Sequence, residues 1–256
     1  SDTGALLLEA MGHTPPFQNS SDIINERLMR STPAPPLYHM RKGNRLEDVV
    51  IEATLKLYGG RFDTDTANAY NSVHTNMPVG LDGNIDFPWI GPKGSRVLVD
   101  VKVPVAGIVN EEKKDWRKDF LYCTQLNTYQ LLAEAKGVKP FDKLFNCHLE
   151  LPPVLTDAYY KRLASGDPEE KARIVDEMTH LLKHSTPGLQ LNFQEQEINP
   201  EIEIAGVKRP MFSAIKEVAA LNWQCVLDGH TPEPLIAQVA MNEDATQELI
   251  KAESEL

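Results

Sequence analysis

The stretch that decides the fold runs Gly83-Asn84-Ile85-Asp86, then Gly91-Pro92-Lys93-Gly94-Ser95, then Val97-Leu98-Val99-Asp100-Val101-Lys102-Val103. The last segment is short, β-branched and preceded by turn-forming Gly and Pro, which predicts a buried strand entered from a hairpin loop. Side chains alternate across a strand, so Leu98, Asp100 and Lys102 share one face. Val97, Val99, Val101 and Val103 share the other. A carboxylate and an ammonium inside a valine strand need a reason, because burying a charge is costly unless it is paired or bound to a metal. Asp86, one strand earlier, supplies a second carboxylate. Two carboxylates and a lysine on adjacent strands suit a hard divalent cation beside a fixed positive charge, and that set of groups fits phosphodiester hydrolysis.

Upstream, a helix is expected from about residue 37 or 44 to 58, stopped by Gly59-Gly60. Leu46, Val49, Val50, Ala53 and Leu57 fall on one of its faces. Glu47 stands at the edge of that face, as a solvated rim residue or as a metal ligand turned towards Asp86 and Asp100. Ser20-Ser21-Asp22 opens a short helix over 23–30 with a capping-type start. Residues 1–19 show little pattern and read as an arm over the surface. Residues 61–78 are polar and turn-rich, with a strand expected near 69–74.

Downstream, residues 110–118 carry Lys113, Lys114, Arg117 and Lys118. They read either as an element touching a nucleic-acid backbone or as an exposed loop, and the three interspersed acids favour the loop. Residues 119–136 read as an amphipathic helix ended by Gly137. Gln125 and Tyr129, four apart, project from the same face. They can hold a nucleotide, order a metal-bound water, or serve as satisfied core polars. Residues 144–151 read as a strand in which His148 is structural. Residues 156–184 are helical, broken at Gly166-Asp167-Pro168, and read as a helical insertion or lid over about 155–185. An edge strand is expected at 189–193 and a helix at 211–227, followed by an acidic tail to 256. The order of elements gives the α/β (α+β) class, a central mixed β-sheet flanked by helices in a single domain over 1–256, with its core at about 20–150.

Composition narrows the function. The chain has 256 residues and 41% hydrophobic content, enough for a sizeable core. No apolar run approaches the roughly 18 residues of a membrane span. Ala5-Leu6-Leu7-Leu8 is too short for a secretory signal and lacks a basic start. A soluble cytoplasmic protein with no membrane partner is the expectation. Three widely spaced cysteines suit a reducing compartment and read as buried small hydrophobes. They are too few for an iron–sulfur cluster held by four thiolates. A net charge of −11 opposes a broad basic groove.

Four pieces then line up in order. Gly43-Asn44-Arg45-Leu46-Glu47 lies on the early helix, Gly83-Asn84-Ile85-Asp86 opens the core, Asp100-Val101-Lys102 closes it, and Gln125-Leu126-Asn127-Thr128-Tyr129 lies on the next helix. This resembles the PD-(D/E)XK nuclease superfamily, and within it the RecB-like and lambda-exonuclease-like branch, over about residues 20–150. Ile85 stands where a proline often precedes the first aspartate. The gap from Asp86 to Asp100 is slightly long, which Pro92 and Gly94 can absorb in a hairpin loop.

The resemblance implies a restriction-endonuclease-like core and a metal-dependent DNA nuclease. It favours an exonuclease acting on linear DNA ends in recombination, repair or phage replication over a structure-specific endonuclease. It implies Mg²⁺ or Mn²⁺ held by Asp86, Asp100 and the backbone carbonyl of Val101, with Glu47 completing the shell or holding a second ion. Lys102 would orient the attacking water, and Gln125 and Tyr129 would support the site or contact DNA. The early helix of this branch binds phosphate, which points to Ser20 or Ser21 and to Arg27 or Arg30. No iron–sulfur cluster is implied, since the four motif cysteines are missing. Implied partners are DNA, a single-strand annealing or other recombination protein, and further copies of the chain, in a bacterial or phage-infected cell. The competing reading is a non-catalytic nucleic-acid-binding or assembly protein on the same scaffold. A third is an ordinary Asp100–Lys102 ion pair on an exposed sheet edge.

Overall fold

The computed structural model describes residues 2–32, 38–72, 77–103 and 115–231. In chain order the first elements are α1 (Asp2–Ala10), α2 (Ser20–Arg27), α3 (Tyr38–Tyr58), β1 (Arg61–Phe62), α4 (Thr64–Asn71), β2 (Phe87–Ile90) and β3 (Arg96–Lys102). They are followed by α5 (Trp116–Ala135), β4 (Lys143–Glu150), α6 (Pro153–Arg162), α7 (Pro168–Lys183), β5 (Gln190–Gln196), β6 (Glu201–Ile204), β7 (Val207–Pro210) and α8 (Met211–Leu227). Strands β1 to β5 form one mixed sheet in sequence order, and β6 and β7 form a separate hairpin. The pair β3–β4 is parallel, joined through α5, and the other pairs are antiparallel.

Strand alternation divides the core as the valine pattern requires. Val97, Val99 and Val101 pack with Leu46, Val49 and Val50 of α3, and with Ile174, Val175 and Met178 of α7. Leu98 and Leu144 face the other way, towards Leu126 and Leu132 of α5, Leu7 of α1 and Ile215 of α8. The fold is therefore α/β, with helices on both sides of a mixed sheet. The β2–β3 loop closes through Gly91 N–H donating to Ser95 O at 2.9 Å. Gly94 holds φ +81°, where a side chain would be strained.

Several expectations are corrected. The N-terminal segment is not a surface arm, because α1 buries Leu6, Leu7 and Leu8 almost completely. Its apolar run shows no period because neighbours cover it on more than one side. The cap of α2 is Asn19, whose side chain accepts from Asp22 N–H while Asp22 accepts from Asn19 N–H. The strand expected near 69–74 is replaced, over its described part, by the end of α4, which Asp63 caps through Thr66 N–H; residues 73–76 lie outside the described residues. Helix α5 buries residues on several faces, from Leu121 and Thr124 to Gln130 and Ala133, since it lies between the sheet and α1 and α8. It is not a simple amphipathic helix. Helices α6 and α7 pack onto α3 as a wall of the core rather than standing off as a lid. The β6–β7 hairpin had no expectation at all, yet sends Ile202 and Ile204 into the core. Lys113, Lys114 and the acidic tail lie outside the described residues. Among the described residues no helix is long and apolar enough to cross a membrane.

If α1 belongs to the core, Leu7→Ala should lower unfolding free energy by about 2–5 kcal/mol, read from urea denaturation. A loss under about 0.5 kcal/mol, the usual range for a surface substitution, would return the segment to the surface.

Candidate active site

The β2–β3 ladder ends at Phe87↔Val99, so Asp100 to Lys102 continue past the last β2 partner. On its other flank β3 stays paired, Asp100 with Asn146, Val101 with Cys147 and Lys102 with His148. Asp86 lies at a bend immediately before Phe87, where the ladder with β3 stops. The segment leading to Asp86 is fixed by three contacts. Ile85 is buried, and Asn71 of α4 brackets its backbone, accepting from Ile85 N–H at 2.8 Å and donating to Ile85 O at 2.8 Å. Gly83 lies so close to Tyr129 that a Cβ there would come within 2.5 Å of the ring. The motif glycine is a packing requirement.

Asp100 is 8% exposed and Lys102 Nζ lies 3.0 Å from its Oδ2. Oδ2 is buried, and its contact with the Lys102 ammonium is a charge-assisted pair. Burial pushes the Asp100 carboxyl up, and the ammonium pulls back against that shift. Burial works to lower the pKa of Lys102, but Asp100 outweighs it, with Tyr122 and Glu47 adding to the same side. The net shift is upward, so Lys102 stays charged. Asp86 keeps contact with solvent, and its carboxyl is still raised by partial enclosure and then by Asp100. Glu47 rises from 4.5 to about 7 through burial, then the charge of Asp86, with Lys102 opposing and Asp100 adding. Glu47 is thus half-buried and within electrostatic reach of Asp86, Lys102 and Asp100.

Gln125 Nε2 donates to the Tyr129 hydroxyl at 2.9 Å. Burial raises the Tyr129 pKa, with Asp100, Lys102 and Asp86 all within electrostatic reach. Both residues line a cavity of about 300 Å³ with Arg27, Gly83, Asp82 and Thr128. Asp86, Asp100 and Lys102 are not among its walls. Arg27 contacts Asp2 Oδ2 at 3.2 Å and Asn222 Oδ1 at 3.3 Å. Arg30 instead donates to Gly229 O at 2.6 Å, near the end of α8. Ser20 is fully buried, with its N–H donating to Glu9 Oε1, and Ser21 is half-buried on α2 outside the cavity wall. Arg117 pairs with Asp115, and Lys118 Nζ stands over the Phe17 ring.

Sequence reasoning missed Tyr122, whose ring lies 5.3 Å from Lys102 Nζ and meets the His148 ring edge-on at 5.7 Å. It lies three residues before Gln125 and carries no motif signal. His148 sits beside Lys102 in the ladder, closer to the site than its structural reading implied.

Among the described residues no group of three or more His, Cys, Asp or Glu is gathered tightly enough to cage a metal ion. Mg²⁺ does not require such a cage, because it keeps several waters and uses one or two carboxylates. The carboxylates of Asp86 and Asp100 are oxygen donors of the kind such an ion takes, with Asp100 Oδ2 paired to Lys102 at 3.0 Å. No family model, curated protein or solved structure matches the chain.

The Glu47 shift fixes a stability trend. Its folded pKa is raised, so its contribution is full below about pH 4.5 and is lost as pH rises through about 7. In EDTA, urea stability should fall across that window by roughly 2 kcal/mol from this group, after discounting for solvent screening. Glu47→Gln should flatten the slope, and an unchanged slope would place the carboxylate in open solvent.

Proposed function

We propose that this chain is a Mg²⁺- or Mn²⁺-dependent deoxyribonuclease of the PD-(D/E)XK type, an exonuclease that resects linear DNA ends. One observation carries the reading. Glu47 from α3, Asp86 at the entry to β2, and Asp100 and Lys102 from β3 lie within electrostatic reach of one another where the β2–β3 ladder opens. Their carboxylates raise one another's pKa against the opposing pull of Lys102, and a bound cation would offset that repulsion.

The roles follow from the side chains. Asp86 and Asp100 would hold the ion, with the Val101 carbonyl, and Glu47 would complete the shell or hold a second ion. A bound cation would lower the pKa of its water and polarise the phosphate. Lys102, kept charged by Asp100, would orient that water and offset charge growing on the phosphate oxygens. Tyr129, held by Gln125 and packed on Gly83, walls the site and faces the bound strand. Arg27, which lines the same cavity while contacting Asp2 and Asn222, would grip a terminal phosphate there; Arg30 is not among the cavity's walls. The same reading puts the protein on DNA in a bacterial or phage-infected cell, beside an annealing or other recombination protein.

The net charge of −11 favours a second reading, a non-catalytic assembly protein on the same scaffold. Mn²⁺ calorimetry separates the two, with binding expected for the nuclease. For activity, end-labelled linear duplex and closed circular DNA are incubated with Mg²⁺. Linear DNA should be degraded and circular DNA spared, with Asp100→Ala and Lys102→Ala each losing roughly 10²–10⁴-fold in rate. Equal rates in the variants, or no cleavage with any divalent cation, would defeat the proposal; nicking of circular DNA would turn it to an endonuclease.

A further inference from the structure

Asn146 is a buried amide whose bonding the fold leaves incomplete. It lies on β4 in register with Asp100 of β3. Residues side by side on parallel strands point to the same face, and the pair two positions earlier, Leu98 and Leu144, shares one core cluster. Asn146 is 1% exposed, and neither Nδ2 nor Oδ1 has a hydrogen-bond partner among the described residues. Beside it, the buried Asp100 Oδ2 is held by Lys102 Nζ at 3.0 Å. Buried polar atoms are nearly always satisfied by protein or by ordered water. An orphaned amide in register with a buried carboxylate therefore points to an arrangement that is completed when the site is in use. Leu144, two residues away, shows that the strand accommodates an apolar side chain on this face.

We propose that Asn146 is a positioning residue for Asp100, its amide holding the carboxylate, directly or through one buried water, in the orientation that a divalent cation takes up. This rests on the metal-dependent nuclease reading and extends it. The chemistry of the side chain supports it. An amide donates through Nδ2 and accepts through Oδ1, so it can bond a carboxylate and a water together. It is neutral, so it orients Asp100 without weakening the pull of that carboxylate on a cation, as a second lysine would. Hydrogen-bond partners of metal-binding carboxylates fix their orientation, and losing one commonly weakens metal binding about 10–100-fold.

The test uses the full chain with Asn146→Leu, Asn146→Ala and Asn146→Ser, read by Mn²⁺ calorimetry and by thermal unfolding in EDTA. Asn146→Leu, similar in volume and without polar atoms, is expected to melt at or above the wild-type temperature while binding Mn²⁺ at least about tenfold more weakly. Its kcat should fall with KM for DNA unchanged. Asn146→Ser, which keeps a hydroxyl donor, should bind closer to wild type than the alanine variant does. Should the leucine variant fail to fold, the alanine variant is decisive. Wild-type Mn²⁺ affinity in a folded Leu or Ala variant overturns this inference and leaves the nuclease reading standing. A wild-type chain that binds no Mn²⁺ removes both.

Discussion

A buried carboxylate governs this structure. Asp100 sits on a strand whose opposite face is valine packed against α3, and on its own face it lies almost wholly out of water. Such a charge is tolerated only when compensated. Lys102, on the same face, supplies one compensating charge at 3.0 Å. The end of the β2 ladder at Phe87 leaves room for more on the flank towards Asp86. The surrounding architecture serves that arrangement: Asn71 and Tyr129 fix the approach to Asp86, α3 brings Glu47, and Tyr122 packs its ring near the Lys102 ammonium.

Much of this was legible in residue order. Alternation in the valine strand correctly separated Leu98 from Val97, Val99 and Val101, and the glycines at 91 and 94 marked the hairpin. The bounds of α8 follow from an apolar run closed by Asp228-Gly229. Other elements were hidden for definite reasons. The α1 run Leu6-Leu7-Leu8 is covered on more than one side, which erases the period that reveals a helix. The start of α4 depends on Asp63 capping Thr66 within a polar stretch that looks like turn. Helix α5 contacts the sheet and two helices, so its polar residues Thr124, Asn127 and Thr128 are interior, not a solvent face. Asn146 looks like any polar strand residue until the ladder places it beside Asp100.

The site was legible in part. The motif order named Glu47, Asp86, Asp100, Lys102, Gln125 and Tyr129; the first four stand within electrostatic reach of one another, and the last two line a cavity whose walls do not include those four. The ion pair with Asp100 holds the Lys102 ammonium charged against the effect of burial. Of Arg27 and Arg30, which residue order does not tell apart, Arg27 lines the cavity of Gln125 and Tyr129.

The account turns on one ion lying between two side chains. A crystal soaked in MnCl₂ and measured at the manganese absorption edge tests this directly. An anomalous peak within about 2.0–2.3 Å of a carboxylate oxygen from both Asp86 and Asp100, with Lys102 Nζ outside the coordination sphere, is the expected result. A saturated crystal with no peak there, or with manganese bound only elsewhere on the acidic surface, would contradict it.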